Sequence, residues 1–186
     1  MFNREMLMAG VVAAQRAGEA EAAPPTFADV LRANQGMVFS IAYHFLRDRG
    51  AAEEVAQDVF LQLHRNLGEL ESTAHATFWL RRVTSNRCID YVRKRRLQPS
   101  VALDDVAEPS TQDERGDPML NRRLRALLTS LPETPRMVMV LRYQEEMMPE
   151  EIATTLNMPV RTVKSHLQRS LAMLREKIGR SMGEIR

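Results

Sequence analysis

The stretch "EEIATTLNMPVRTVKSHLQRSL", residues 150–171, holds two apolar-periodic segments that meet at Asn157, Met158 and Pro159. Pro149 just ahead of it suits a first helical position, where a missing N–H removes no bond, and Glu150 and Glu151 sit where the helix dipole favours acids. Ile152, Ala153 and Leu156 supply the inward side of this short helix. Asn157 is one of the few non-glycine residues that tolerates the left-handed conformation of a sharp turn. Pro159 then starts a second helix, on which Val163, Leu167, Leu171, Leu174 and Ile178 recur at spacings of four, four, three and four. The opposite side carries Arg161, Thr162, Ser165, Gln168, Arg169 and Ala172, with Lys164 at its border. Small and basic groups there let a phosphate or a base edge come close, and such a helix fits the major groove of duplex DNA. Helical hairpins with plain solvated polar faces share this pattern, so on these residues alone both readings stand.

Outward from this hairpin, the whole chain reads as all-α. Its 186 residues suffice for one medium domain or two small ones. Hydrophobic residues make up 44% but aromatics only 5%, with 8 glycines, the balance of a protein built on Ala, Leu, Met, Arg and Glu helices. Cys88 is the single cysteine, which excludes a disulfide scaffold and fits a reducing compartment. No apolar run approaches the roughly 20 residues of a membrane span. The opening "MFNREMLMAGVVAAQRAG" has an acid in its charged flank and no clean small-residue cleavage pattern. A cytoplasmic location without membrane insertion is expected.

Formal net charge is only +2, yet the charge is unevenly placed. Residues 26–96 hold 11 basic and 8 acidic groups, residues 97–118 hold 1 and 6, and residues 119–186 hold 12 and 7. Two basic blocks thus flank an acidic strip. All cations but Lys94, Lys164 and Lys177 are arginine, the residue suited to planar contacts with phosphates and base edges. Two solvated helical domains of ordinary charge would also fit these totals.

The period divides the chain in the same way. Residues 1–25 are an Ala/Glu/Met-rich tail ending in Pro24 and Pro25. Thr26 is an N-cap candidate, followed by the stripe Phe27, Val30, Leu31, Val38, Ile41, Ala42 and Phe45 up to a turn at 47–50. A second helix is expected over 51–66, a polar loop "GELESTAHA" after it, and a third helix over 77–96. These three form a first domain over 26–96. Residues 97–118, with three prolines, one glycine and six acids, have no capacity for a core and read as a flexible acidic linker. A second domain over 119–180 follows, with a helix to Ser130, one after Pro135, the short 149–156 helix and a long one over 160–180. Residues 181–186 are a C-terminal tail.

The segment "LTSLPETPRMVMVLRYQEEMMPEEIATTLNMPVRTVKSHLQRSLAMLREKI" resembles the C-terminal promoter-recognition domain, region 4, of bacterial sigma factors of the sigma-70 family. The matching marks are Leu131 and Pro132, Arg136, "EIA" at 151–153 and "TVKSHLQR" at 162–169. The resemblance implies that Arg161, Thr162, Lys164, Ser165, Gln168 and Arg169 contact the −35 promoter element. Met148 departs from the capping Ser of many relatives, and Asn157 from their Gly. In the first domain, "AAEEVAQDVFLQLHRNL" puts Ala52, Val55, Ala56, Val59, Leu63 and Leu67 on one face. Glu54, Gln57, Asp58, Leu61 and Arg65 lie opposite. By periodicity the outer side is an ordinary solvated face. By resemblance to the sigma-factor segment that grips the clamp of the largest RNA polymerase subunit, Glu54, Gln57, Asp58 and Leu61 become a docking patch.

"TFWLRRVTSNRCIDYVRKRR" resembles the region 2 segment that opens and reads the −10 element, through Trp79, Leu80, Asn86, Asp90 and the cluster Arg93, Lys94, Arg95 and Arg96. Trp79, Asn86 and the four cations are the implied contacts. On chemistry alone Trp79 reads as core packing, and Asp90, which phosphate would repel, as the structural partner of an Arg. The cluster has two readings, phosphate neutralisation or favourable charge at a helix C-terminus. The loop at 66–76 is implied to help capture a base flipped from the non-template strand.

The resemblance covers about 26–96 and 119–180, and the absence of a middle domain is the architecture of the extracytoplasmic-function group. It implies RNA polymerase core (the clamp, and the flap of the second largest subunit), promoter DNA and an anti-sigma factor as partners. The alternative is a helix-turn-helix regulator that binds DNA without core. Nothing points to an enzyme: His44, His64, His75 and His166 lie in four separate segments without metal-ligand spacing, and no phosphate-cradling Gly loop occurs. No catalytic residue, metal or cofactor is expected, and Cys88 reads as a buried inert thiol.

Overall fold

The computed structural model describes residues 26–97, 126 and 128–183, and through them the chain is helical. Six α-helices are fully described: α1 Phe27–Leu46, α2 Arg49–Asn66, α3 Thr73–Leu97, α4 Glu133–Tyr143, α5 Pro149–Leu156 and α6 Val160–Gly183. A single 3₁₀ turn, Leu67–Glu69, follows α2. The expected tail 1–25, the linker beyond Leu97 (which itself ends α3) and the first part of the 119–130 helix lie outside the described residues.

Local chemistry sets the boundaries. Thr26 caps α1, its hydroxyl accepting from the Asp29 N–H at 3.3 Å. Arg47, in the left-handed region at φ 59°, ends α1 and donates its N–H to the Tyr43 carbonyl at 2.8 Å. The turn is shorter than the expected 47–50. Asp48 Oδ1 accepts from the Ala51 N–H at 3.0 Å, which makes Asp48 an N-cap and draws Arg49 and Gly50 into α2. The loop before α3 also shrinks. Ser72 Oγ accepts from the His75 N–H at 3.1 Å, so α3 starts at Thr73 rather than Thr77. Likewise α4 starts at Glu133, ahead of Pro135, because a proline in the first helical turn forfeits no intrahelical bond.

Helices α1, α2 and α3 pack on one another around Val30, Val38, Ile41, Ala42, Phe45, Val55, Val59, Leu63 and Leu80. One buried amide cross-links α1 and α3. Asn34 donates to the Val30 carbonyl at 2.8 Å and accepts from the Thr77 hydroxyl at 2.9 Å, so both ends of the group are satisfied. Cys88 is fully buried on the inward side of α3, and desolvation pushes its thiol pKa well above the ordinary range.

Helices α4, α5 and α6 make the second unit. Arg136 to Leu141, six consecutive residues of α4, are all buried. A helix buried all round has neighbours on every side. On one flank α4 meets α5 and α6; on the other it meets α1 and α3, and α5 also touches α3. The two units therefore share one continuous apolar cluster that runs from Val30 to Val163. Among the described residues no helix is long and apolar enough to cross a membrane.

Candidate nucleic-acid interface

The α5–α6 hairpin is built by its turn. Pro149 opens α5, and Glu151 Oε2 accepts from the Met148 N–H at 2.6 Å. Asn157 adopts φ 52°, ψ 54°, the left-handed geometry its side chain tolerates, and the Met158 N–H reaches back to the Ala153 carbonyl at 2.9 Å. The Pro159 carbonyl then accepts from the Thr162 and Val163 N–H groups and starts α6.

On α6, Val163 and Leu174 are buried, while Leu167, Leu171 and Ile178 are partly so. The opposite face is open. Arg161, Lys164, Gln168 and Arg169 are exposed or nearly so, and Thr162 and Ser165 flank them half-buried. Lys164 is not a bare cation: its Nζ lies 3.2 Å from Glu150 Oε1 across the turn. Glu150's own backbone N–H and then the Lys164 ammonium hold that carboxyl below the usual carboxylate range. An exposed pair of this kind is easily exchanged for a phosphate.

The α3 face divides in two. Trp79 and Val83 are partly buried and pack against the core, as the chemistry of the indole suggests, whereas Asn86 and Asp90 on the same side are exposed. The expected Arg partner of Asp90 does not exist among the described residues, since none of the ion pairs there includes it. Arg93, Lys94, Arg95 and Arg96 stand at the solvent-facing end of α3. Two of them are engaged within the molecule: Arg95 with Asp48 at 3.9 Å and Arg96 with Glu133 at 2.5 Å. On α2, Glu54, Gln57, Asp58, Leu61 and Arg65 lie opposite the buried stripe, and Leu61, an unpaired apolar side chain among charges, is 58% exposed.

Three features were not legible in the sequence. The Glu150–Lys164 and Arg96–Glu133 pairs join residues far apart in the chain, beyond any local period. Arg136, noticed only as a family mark, is 7% exposed and bonds the carbonyls of Thr129 and Leu131 at 2.8 and 3.1 Å. A usable signal did exist: "MVMVL" at 137–141 has no polar break, which is more apolar surface than a helix covering one small core needs.

A three-helix bundle followed by a helix-turn-helix, each with exposed cations, defines a two-module nucleic-acid-binding protein. Comparison with known proteins makes this specific. Residues 30–98 match the family pattern of sigma-70 region 2, and residues 121–174 that of sigma-70 region 4. The chain is 32% identical over 157 residues to the RNA polymerase sigma-E factor of Streptomyces antibioticus, covering 82% of this chain and 84% of that one. It is 29% identical over 172 residues to the ECF RNA polymerase sigma factor SigE of Mycolicibacterium smegmatis, covering 88% of this chain and 66% of the relative's length. In fold it is similar to the sigma factor RpoE solved with the anti-sigma factor NepR from Bartonella quintana, with a TM-score of 0.68, 20% identity, and coverage of 82% of this chain and 96% of that chain. The chain belongs to the sigma-70 family of RNA polymerase sigma factors, in its extracytoplasmic-function group.

Proposed function

We propose that this chain is a detachable specificity subunit that directs RNA polymerase core to particular promoters. In this reading residues 119–180 recognise the −35 element, with Arg161, Thr162, Lys164, Ser165, Gln168 and Arg169 of α6 at the DNA. Residues 26–96 recognise and open the −10 element through Trp79, Asn86, Arg93, Lys94, Arg95 and Arg96. Glu54, Gln57, Asp58 and Leu61 dock on the clamp of the largest polymerase subunit, and the second module on the flap of the second largest. Family membership supports the overall role. The observation that carries the residue assignment is α6, whose apolar stripe is turned inward while its cations, amide and hydroxyls stand on the outer side.

The near-neutral total charge suits a subunit that must not coat DNA by itself. Each module binds weakly alone, and the polymerase makes the second contact intramolecular. Action on polymerase places the protein in the cytoplasm. The similarity to a sigma factor solved with an anti-sigma factor supports a regulator of that kind here. The test is run-off transcription with purified core on promoters from the protein's own operon. Specific initiation that requires both core and this chain is the expected result, and Leu61→Glu is expected to lower core affinity roughly tenfold or more, as the loss of a buried interface side chain does, with DNA contacts intact. Tight binding to a palindromic site without core would overturn the reading in favour of a conventional helix-turn-helix regulator.

A further inference from the structure

The cations on the outer side of α3 differ in what holds them. Arg95 and Arg96 face the carboxylates of Asp48 and Glu133, so their charge is partly compensated within the molecule. Arg87, one position beyond Asn86, is exposed and makes no ion pair among the described residues, not even with Asp90 three residues further on. Its partner is neutral. Gln62 of α2 turns its side-chain oxygen to the guanidinium, the orientation in which both ends of the amide find partners. That oxygen accepts from Arg87 Nη2 and, at 3.0 Å, from Arg87 Nε. Gln62 is half-buried on α2, which packs on α3, and the Asn66 side chain donates to its backbone carbonyl at 2.7 Å.

A carboxylate that holds a guanidinium also cancels its charge, whereas a neutral amide fixes its direction and leaves the charge in place. Arginine offers donors in a rigid planar fork, and Gln62 engages only the edge formed by Nε and Nη2. The outer edge stays open to solvent. A side chain already held at its inner edge loses less freedom on binding than an unrestrained one. At 100° per residue Arg87 lies about 20° from Lys94 around α3, roughly 10 Å along the axis. That rise matches about three phosphate steps of one strand. The two exposed cations therefore form a row beside the line of Asn86, Asp90 and Arg93. A row of this spacing suits a chain of phosphodiesters better than a single anion.

We infer, on the reading that α3 meets the −10 element, that Arg87 is a further backbone-phosphate contact of the first module and that Gln62 is its positioning residue. Neither belongs to the contacts proposed above. The planar fork presents parallel donors to two oxygens of one phosphate. Such a contact fixes where the strand lies and carries no sequence preference of its own. Gln62 is the chain neighbour of Leu61 in the proposed polymerase patch. Helix α2 thus serves the polymerase with one side and, through Arg87, the DNA with another.

The test measures affinity of core polymerase carrying the full chain for a labelled promoter duplex from the protein's own operon, over a series of salt concentrations. Arg87→Ala should lower affinity roughly tenfold and flatten the slope of log affinity on log salt by about 0.7–0.9, one phosphate no longer neutralised. Arg87→Lys keeps the charge and loses the fork, so its slope should stay at the wild-type value while affinity falls. Gln62→Ala should do the same, by roughly two- to tenfold. Added to Arg87→Ala, it should cost nothing more, because Gln62 acts through Arg87. A purely structural pair would give a lower urea midpoint in Arg87→Ala and an unchanged salt slope, which overturns the proposal. A Gln62→Ala loss that persists undiminished in the Arg87→Ala background overturns the positioning role. Should Arg87→Ala fail to fold, Arg87→Lys and Gln62→Ala decide the matter, since wild-type affinity in both leaves no phosphate contact to position. Wild-type complex that does not prefer the promoter to a scrambled duplex sinks the functional reading itself. A wild type with that preference, beside a folded Arg87→Ala of unaltered slope, sinks this inference alone.

Discussion

Met148 precedes α5 with extended backbone angles, φ −73° and ψ 152°, the conformation of an N-cap. Its thioether is a poor acceptor for the free N–H groups of the first turn. Glu151 already returns one bond to the Met148 N–H, so half of a reciprocal capping arrangement is in place. Met148→Ser supplies the other half and removes a side chain that is already exposed. The substitution is expected to raise stability by about 1 kcal/mol, read as a higher urea midpoint at unchanged slope. Cys88 makes a second prediction at this scale. Its folded thiol is held neutral by burial, with a pKa above that of the unfolded chain. Above the ordinary thiol pKa the unfolded state has lost a proton that the folded state keeps, so stability is full below that range and declines as pH rises through it. The loss should approach ~1.4 kcal/mol per pH unit beyond about 8.5. Cys88→Ala should lack that part of the alkaline slope, and the native thiol should resist alkylation until the chain unfolds.

Helix α6 is where sequence pattern and structure agree best, because its buried stripe and exposed face obey one 3.6-residue period. Asn157 agrees for a different reason: few side chains accept the left-handed turn, so the residue type announces the geometry. Helix starts were less legible. Ser72 and Asp48 act as caps through single hydrogen bonds to nearby N–H groups, and polar residues that cap look the same in sequence as polar residues that merely sit in a loop. Trp79 shows a further limit. The chemistry of the indole points it at the core, but the sequence does not show that it is half-covered rather than enclosed. The outer face of α6 carries its own prediction, which concerns the polymerase–promoter complex. Arg169→Ala and Lys164→Ala should each weaken promoter binding and flatten the dependence of log affinity on log salt, by roughly 0.9 for each phosphate that is no longer neutralised. Lys164→Ala should show the smaller drop in affinity, since Glu150 must be displaced from that ammonium before phosphate can replace it. Ser165→Ala should lower affinity without changing the salt slope.

Across the whole molecule, Arg136 is one of the residues through which the two modules share their stability. Desolvation lowers the pKa of its guanidinium, Glu133 partly offsets this, and Arg96 adds an unfavourable charge. The compensation comes from three carbonyls, those of Thr129 and Leu131 in its own module and Phe45 in the other, and from the Phe45 ring. Arg136→Ala deprives those carbonyls of their donor and leaves a void beside Phe45, for a cost of about 2–4 kcal/mol. The side chain bonds both modules, so its removal should weaken their coupling as well as the second module's own fold. Trp79, the single tryptophan, lies on α3 of the first module, while far-UV circular dichroism reports on every helix. In the wild type the two signals should follow one urea transition, the mark of a cooperative unit. In Arg136→Ala the dichroism should begin to fall at lower urea, as α4, α5 and α6 unfold first, with the tryptophan transition following at a separate midpoint. Coincident transitions in that variant, at the wild-type midpoint, would mean that the buried guanidinium contributes nothing to joining the modules and that the apolar seam alone holds them.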